Sequence, residues 1–365
     1  MSQTESENQE MVLVSASELR DTIREVFVRL GVSEQEANRE AEILVDADLR
    51  GVDTHGMLLV PRYVAKFKGG VYNLRPRYSV VTEGPSTFVL DGDNGLGHVA
   101  AAETMAKCIE KAKQTGACFG GLRNSNHAGC MGYYALQAVD ADMIGYAVTD
   151  THSNLAPFGG TKPMLGNNPF AVGIPAGDQL PVVLDMALSV AAKAKVIKAA
   201  TKGQPIPAGW VTDRQGNPIT DPELIVGPLE KRVPFLLAPV GGVKGSGMLI
   251  VNTILAGILT GTGSYGPHLP SFGSQFTKAQ HLGSFFGAID VSHFLPVEEF
   301  KAKVDEFIGL LKASDKAPGV EEIFMPGEIE ARTKERRLKE GIPVVRAAWD
   351  ELQSIHSDLV SSQGR

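Results

Sequence analysis

The sequence predicts an α/β (mixed α+β) fold, with a central α/β domain around a mixed sheet and a helical domain built from both chain ends. Two observations predict it. Apolar residues recur at helical spacing near both termini. In the middle, short β-branched and apolar runs alternate with helical ones, separated by glycine and proline.

Residues 1–14 are expected as a flexible tail that runs into a short extended segment. Ser15-Ala16-Ser17-Glu18 is a capping box, and Leu19, Ile23, Val26, Phe27 and Leu30 then follow a helical stripe that Gly31 ends. Ser33-Glu34-Gln35-Glu36 repeats the start signal for a second helix through Ile43, Leu44 and Leu49, ending near Arg50-Gly51. A third helix covers 60–68 and closes at Gly69-Gly70. The runs 79–82 and 87–90 bracket Gly84-Pro85 and read as a hairpin. Helices at 99–113 and 131–141 alternate with strands at 117–122, 144–149, 170–174 and 181–184. The Ala/Lys-rich run 186–201 reads as one long helix, and 203–228 as loop. A helix at 244–259 is entered through glycines, and 285–291 is a strand. The runs 297–311, 328–339 and 345–354 read as helices. The expected boundaries are 15–75 plus 295–360 for the helical domain and 76–294 for the α/β domain.

Composition narrows the function classes. At 365 residues, 43% hydrophobic and 21% charged, the chain has ordinary globular content and suggests roughly two domains. The net charge of −7, with no basic stripe, argues against a nucleic-acid partner. Cys108, Cys118 and Cys130 form no Cys-x-x-Cys spacing, which fits a reducing compartment and no disulfide framework. The first ten residues are polar and acidic, unlike a secretion signal. The longest apolar stretch, 248–259, is interrupted by Asn252, Thr253 and Gly257 and is too short to span a bilayer. A cytoplasmic protein is expected, with no membrane partner. The eight histidines are scattered, none paired at i, i+3 or i+4, so no metal site is expected.

Two histidines carry the chemical signal. His55 lies in Arg50-Gly51-Val52-Asp53-Thr54-His55-Gly56, and His127 in Arg123-Asn124-Ser125-Asn126-His127-Ala128-Gly129. Imidazole moves protons near neutral pH, and adjacent glycine admits close approach of backbone or ligand. For either one alone, a turn hydrogen bond is the ordinary explanation. Two in similar settings point to a site. Gly95-Leu96-Gly97-His98-Val99-Ala100 fits a dinucleotide fingerprint weakly, because no acidic residue ends a strand about 20 positions on, and close helix packing is the better reading. Gly241-Gly242-Val243-Lys244-Gly245-Ser246-Gly247 offers backbone N–H groups at a helix start. Lys244 and Ser246 also admit a Ser–Lys amide hydrolase as a distant alternative. Thr149-Asp150-Thr151-His152-Ser153, Gly166-Asn167-Asn168-Pro169, Asp185-Met186-Ala187 and Pro326-Gly327-Glu328 place polar groups at strand ends and helix starts. Each alone is more often structural; together they suit a buried ligand site.

The combined order R-G-x-D-T-H-G, S-N-H-x-G, A-P-x-G-G, G-N-N-P, L-D-M-A, G-G-x-K-G-x-G and P-G-E resembles the malate/L-lactate dehydrogenase family. This is the type that includes sulfolactate and ureidoglycolate dehydrogenases, diketogulonate reductase and piperideine-2-carboxylate reductase. The likeness runs from about Ser15 to about Val345. It implies a non-Rossmann NAD(P)-binding fold and interconversion of a small 2-hydroxy acid and its 2-oxo acid, or the parallel NADPH-dependent reduction of a cyclic imine. NAD is slightly favoured over NADP. By position it implies His127 and His55 as catalytic groups and Thr151, Asp185, Met186, Ala187, Lys244, Gly327 and Glu328 as cofactor contacts. Substrate contacts are expected from Arg50, Arg62 and Asn168, and a homodimer is implied. Many members carry an arginine four residues after the first His; here Leu59 stands there, with Arg62, Arg50 or Arg123 as substitutes. Ala128 replaces a common aromatic residue.

Overall fold

The computed structural model describes residues 10–362. Its first strand, β1 (Met11–Val14), leads into helices α1 (Ala16–Arg29), α2 (Glu34–Leu49) and α3 (Val60–Lys68). Residues 11–14 are therefore strand, and 1–9 of the expected tail lie outside the described residues. The two start signals act as caps: Ser15 Oγ accepts the Glu18 N–H at 3.1 Å, and Ser33 Oγ the Glu36 N–H at 3.3 Å. Then follow β2 (Ser79–Glu83), β3 (Thr87–Asp91), α4 (Gly97–Thr115), β4 (Ala117–Ser125), α5 (Met131–Val139), β5 (Met143–Thr149), β6 (Phe170–Ile174) and β7 (Val182–Met186). Beyond these come α6 (Lys193–Thr201), β8 (Val211–Asp213), α7 (Glu223–Val226), β9 (Phe235–Leu237), α8 (Val243–Thr253) and β10 (Leu282–Asp290). The chain ends with α9 (Val297–Lys312), α10 (Glu328–Glu340), β11 (Ile342–Val345) and α11 (Arg346–Ser362).

A seven-stranded mixed sheet has the order β2-β3-β4-β10-β5-β6-β7. Only β3 and β4 run parallel, joined through α4; every other pair is antiparallel. The late strand β10 sits mid-sheet, with Phe286 opposite both Gly120 and Ala147. The chain ends meet separately. β1 pairs antiparallel with β11, and one apolar cluster joins Leu19, Phe27 and Leu44 to Ile342, Val344 and Leu352. A second cluster fills the space between the sheet and helices α4 and α5.

Several elements differ from the sequence expectation. The run 186–201 is helical only from Lys193, because Met186 pairs with Phe170 at the sheet edge and Ser189 bridges to Pro239. Pairing across the sheet overrides the helix propensity of alanine and lysine. Val345 closes a strand, not a helix, because Pro343 and two valines suit the edge ladder with β1. The stretch 203–228, expected as loop, contains β8 and α7, and its Ile206, Val211 and Ile225 join an apolar cluster with Val148 and Phe170 of the sheet. Helix α9 is fastened to the sheet side: Asp305 accepts the N–H groups of Gly177 and Asp178 at 3.0 and 2.7 Å, and Lys301 pairs with Asp142. Among the described residues, no helix is long and apolar enough to cross a membrane.

Gly97 makes the close approach that sets the site. It opens α4, and a Cβ there would lie 2.2 Å from the Asn126 carbonyl oxygen and 2.3 Å from that of His127. The glycine pattern therefore serves helix packing against the His127 loop. Gly97→Ala is expected to destabilise the fold by about 1–3 kcal/mol, read from its denaturant unfolding midpoint; an unchanged midpoint would contradict this packing.

Candidate active site

The loop after β4 delivers His127 and is pinned on both flanks. The buried Asn126 amide donates to Asn94 Oδ1 at 3.0 Å and to the Gly95 carbonyl at 2.9 Å. The Tyr134 hydroxyl donates to the Ala128 carbonyl at 2.6 Å. The His127 N–H itself donates to Gln280 Oε1 at 3.0 Å. Its ring stacks on Phe272, with centroids 4.3 Å apart and planes at 15°. Nδ1 lies 2.7 Å from the Tyr63 hydroxyl on α3.

His55 reaches the same place from the other side. It ends a 3-10 turn, Asp53–His55, that follows α2. The buried Asp48 carboxyl accepts the Met57 N–H at 2.8 Å just beyond it, and Arg337 ties Asp53 to the Asp48 carbonyl. The His55 Nδ1 meets Thr54 Oγ1 at 2.9 Å, and its ring lies nearly parallel to His127 at 6.0 Å. Behind them, the buried His98 holds Glu40 Oε1 at 2.7 Å, and its ring is 6.0 Å from that of His127.

These walls enclose a cavity of about 380 Å³ lined by His55, Arg62, His127, Thr151, Asn167 and Phe272 among others, a volume suited to a small-molecule site. Desolvation keeps both imidazoles neutral. Burial, then His98, lowers the His55 pKa to about 4. Burial, then His55, His98, Arg62 and His152, holds His127 well below its ordinary value. Tyr63 is pushed the other way by burial and by Glu40, so its hydroxyl keeps its proton. That hydroxyl can donate to or accept from Nδ1, which supports either protonation state of the ring. Arg62 forms no hydrogen bond or ion pair among the described residues, which leaves its guanidinium available in the cavity.

The other expected substrate residues are engaged elsewhere. Arg50 Nε donates to Asp46 at 2.7 Å, and Arg123 Nε to Asp91 at 2.9 Å, so neither faces the cavity. Leu59 is buried in the helical core, one turn before Arg62. Asn168 is a framework residue. Its Oδ1 accepts the Thr151 N–H at 3.0 Å and its Nδ2 donates to Thr253 at 2.7 Å, while its neighbour Asn167 lines the cavity.

Of the expected cofactor residues, Thr151 alone lines this cavity, with its hydroxyl 2.9 Å from Asn167 Oδ1. Asp185, Met186 and Ala187 sit at the end of edge strand β7. Asp185 accepts the Gly132 N–H in the first turn of α5 at 2.8 Å, and so touches the helix that continues the His127 loop. Gly327, at φ +83°, packs on Val183 of the same strand, whose N–H donates to the Pro326 carbonyl at 2.9 Å. Glu328 is buried and bonded to Lys312 at 2.6 Å, Arg332 at 2.5 Å and the Met325 N–H at 3.0 Å. Burial opposes its ionisation, but these bonds outweigh it and hold the carboxyl below its usual pKa. Lys244 is exposed at the first turn of α8, while Ser246 is buried and accepts the Phe158 N–H at 2.8 Å. Two residues apart on a helix, they face different ways, so no Ser–Lys catalytic pair forms. Ser153 Oγ, Asn154 Oδ1 and Ser189 Oγ are among ten buried side-chain polar atoms of the described residues that have no partner. Such orphans beside Thr151 and beyond Ala187 fit a polar ligand along this path. Among the described residues, no group of three or more His, Cys, Asp or Glu side chains is set to hold a metal.

Sequence reasoning did not single out Tyr63, Phe272, Gln280 or the His98–Glu40 pair. Tyr63 had a signal, since it lies on the helix directly after the His55 turn. Phe272 and Gln280 had none; they lie about 150 residues beyond His127, in a stretch without periodicity.

Comparison with known proteins gives the family. The family model for malate/L-lactate dehydrogenase matches residues 14–353. The malate dehydrogenase of Pyrococcus horikoshii is 40% identical over 349 residues, covering 94% of each chain. The L-sulfolactate dehydrogenase of Methanocaldococcus jannaschii is 38% identical over 352 residues, covering 96% of this chain and 97% of the other. The crystal structure of malate dehydrogenase from Entamoeba histolytica superposes with a TM-score of 0.89 at 31% identity, covering 96% of this chain and 98% of that one. The chain therefore belongs to the malate/L-lactate dehydrogenase family and is an oxidoreductase acting on CH–OH donors.

Proposed function

We propose that this chain interconverts a small 2-hydroxy acid and its 2-oxo acid, with NAD or NADP as the hydride carrier. The observation that carries the reading is the neutral His127 ring, held through Nδ1 by Tyr63, beside the unpaired Arg62. The nicotinamide, when bound, supplies or accepts the hydride at the carbon that bears the oxygen. The chain's own residues do the rest. Thr151, Asp185 and Gly327, with the orphan hydroxyls of Ser153 and Ser189, are the groups that would hold the dinucleotide. Arg62 meets the substrate carboxylate, and a guanidinium–carboxylate pair also fixes orientation. His127, with Nδ1 occupied, uses Nε2 to take the hydroxyl proton in oxidation and to return it in reduction. His55, stacked beside it, binds the same substrate oxygen.

The carboxylate has a second effect. Arg62 is one of the charges that oppose protonation of His127. A carboxylate paired with Arg62 cancels that opposition and moves the imidazole toward the range where proton transfer is efficient. Two copies of the chain are proposed to associate through α8 and the turn after it. Met248, Val251, Ile254, Ile258 and Leu259 there are each more than two-fifths exposed and fall largely on one side.

The test is a panel of pyruvate, oxaloacetate, 3-sulfopyruvate and piperideine-2-carboxylate against NADH and NADPH. Turnover of an oxo acid is expected; turnover of the cyclic imine alone would replace this reading by the imine one. His127→Asn and His55→Asn are each expected to lower kcat by about 10²–10⁴-fold, and unchanged rates in both would remove imidazole from the mechanism. Arg62→Gln is expected to lower kcat/KM by about 10–100-fold, the loss of one charged hydrogen-bonding contact. Light scattering is expected to give a dimer mass that Val251→Lys reduces to monomer.

A further inference from the structure

A lysine that the reaction does not use lies under the active-site wall. Lys66 is in the last turn of α3, where the helix dipole favours a cation, yet its side chain is buried. No carboxylate among the described residues forms a hydrogen bond or ion pair with it. Its ammonium instead donates to two backbone carbonyls, Gln275 at 3.2 Å and Lys278 at 3.5 Å, and lies 5.6 Å from the centre of the Phe272 ring. A buried ammonium needs such partners, because leaving it unsolvated is costly. All three contacts fall in one segment, 271–280. That segment supplies Phe272, which stacks on His127, and Gln280, which holds the His127 N–H. Tyr63, which holds Nδ1, lies three residues before Lys66 on the same helix. Segment 271–280 forms no strand of the sheet, so few backbone bonds fix it otherwise.

We propose that Lys66 is a positioning residue: its ammonium clamps segment 271–280 against α3 and so fixes the His127 ring between Tyr63 and Phe272. The proposal rests on His127 as the proton-transfer group. Releasing the clamp hydrates the imidazole. The groups facing that ring are His55, His98, Arg62 and His152, with Tyr63 at Nδ1. None of them changes in a Lys66 variant, so what changes is burial. Burial lowers the pKa of His127, so hydration raises it toward its ordinary value. The acid limb of kcat/KM in the oxidative direction, where the free-enzyme imidazole gains its proton, then moves to higher pH.

The experiment uses the full-length chain with Lys66→Met, which fills the same volume without the charge, and Lys66→Arg, which keeps a cation with N–H donors. Lys66→Met is expected to lower kcat by about 10–100-fold, the effect of an ångström-scale misplacement. It is also expected to raise the acid limb by about one pH unit and to speed amide hydrogen exchange in 271–280 without ligand. Lys66→Arg is expected to retain most activity and the original limb. Gly69→Ala gives a second perturbation without touching the charge, since a Cβ there would lie 2.3 Å from the Phe276 carbonyl oxygen and push the same segment. If Lys66→Met does not fold, Gly69→Ala is read for the same exchange and limb shift. A folded Lys66→Met or Gly69→Ala protein with wild-type exchange in 271–280 and an unmoved acid limb overturns the proposal. Full activity in His127→Asn would instead remove the proton-transfer reading, while the exchange measurement would still report on the clamp.

Discussion

The hydrogen bond between the Tyr63 hydroxyl and His127 Nδ1 is the contact on which the site depends. It joins a helix packed in the apolar cluster of the chain ends to a loop at the end of a sheet strand. Its net contribution is about 1 kcal/mol, but either group left alone in this buried setting would cost more. The surrounding bonds make it possible. Asn126 holds the loop from the α4 side, Gln280 holds its backbone N–H, and Gly97 lets α4 come close enough for both. The position of the imidazole is thus decided by segments that begin at residues 60, 94, 97 and 271.

The electrostatics follow from that burial. Two imidazoles stacked at 6.0 Å, with a third behind them and a guanidinium beside them, make a proton hard to add. The cavity therefore starts with neutral rings and a permanent positive charge at Arg62. In the proposed function an anionic substrate would satisfy the guanidinium and remove one of the charges that oppose protonation of His127. Glu40 is hydrogen-bonded to His98 behind the two rings.

The sheet gives the proposed cofactor path a setting unlike that of a doubly wound parallel sheet. Its six strand pairs include only one parallel pair, and the proposed cofactor path runs along β7, an antiparallel edge. The segment Pro326-Gly327-Glu328 returns from far along the chain to hydrogen-bond with that edge. Asp185 on β7 then reaches across to the first turn of α5 and links this edge to the His127 loop. The Gly95–Ala100 pattern does sit between the parallel strands β3 and β4, but Gly97 is packed against the carbonyls of Asn126 and His127 and so serves helix packing.

The sequence by itself determined the parts set by local rules. Helical periodicity and the Ser15 and Ser33 caps located the first helices, the hairpin around Gly84-Pro85 was readable, and the two glycine-flanked histidines marked the cavity that both line. The order of motifs was specific enough to indicate the family. Tertiary structure alone decided what depends on distant pairing. The run after Met186 is extended because β6 and Pro239 claim its backbone, although alanine and lysine favour a helix. Arg62 reaches the cavity while Arg50 is held by Asp46, a distinction that spacing cannot make. Phe272, Gln280 and Lys66 act through contacts across some 150 to 210 positions of chain, and periodicity reports only the neighbours within a few turns.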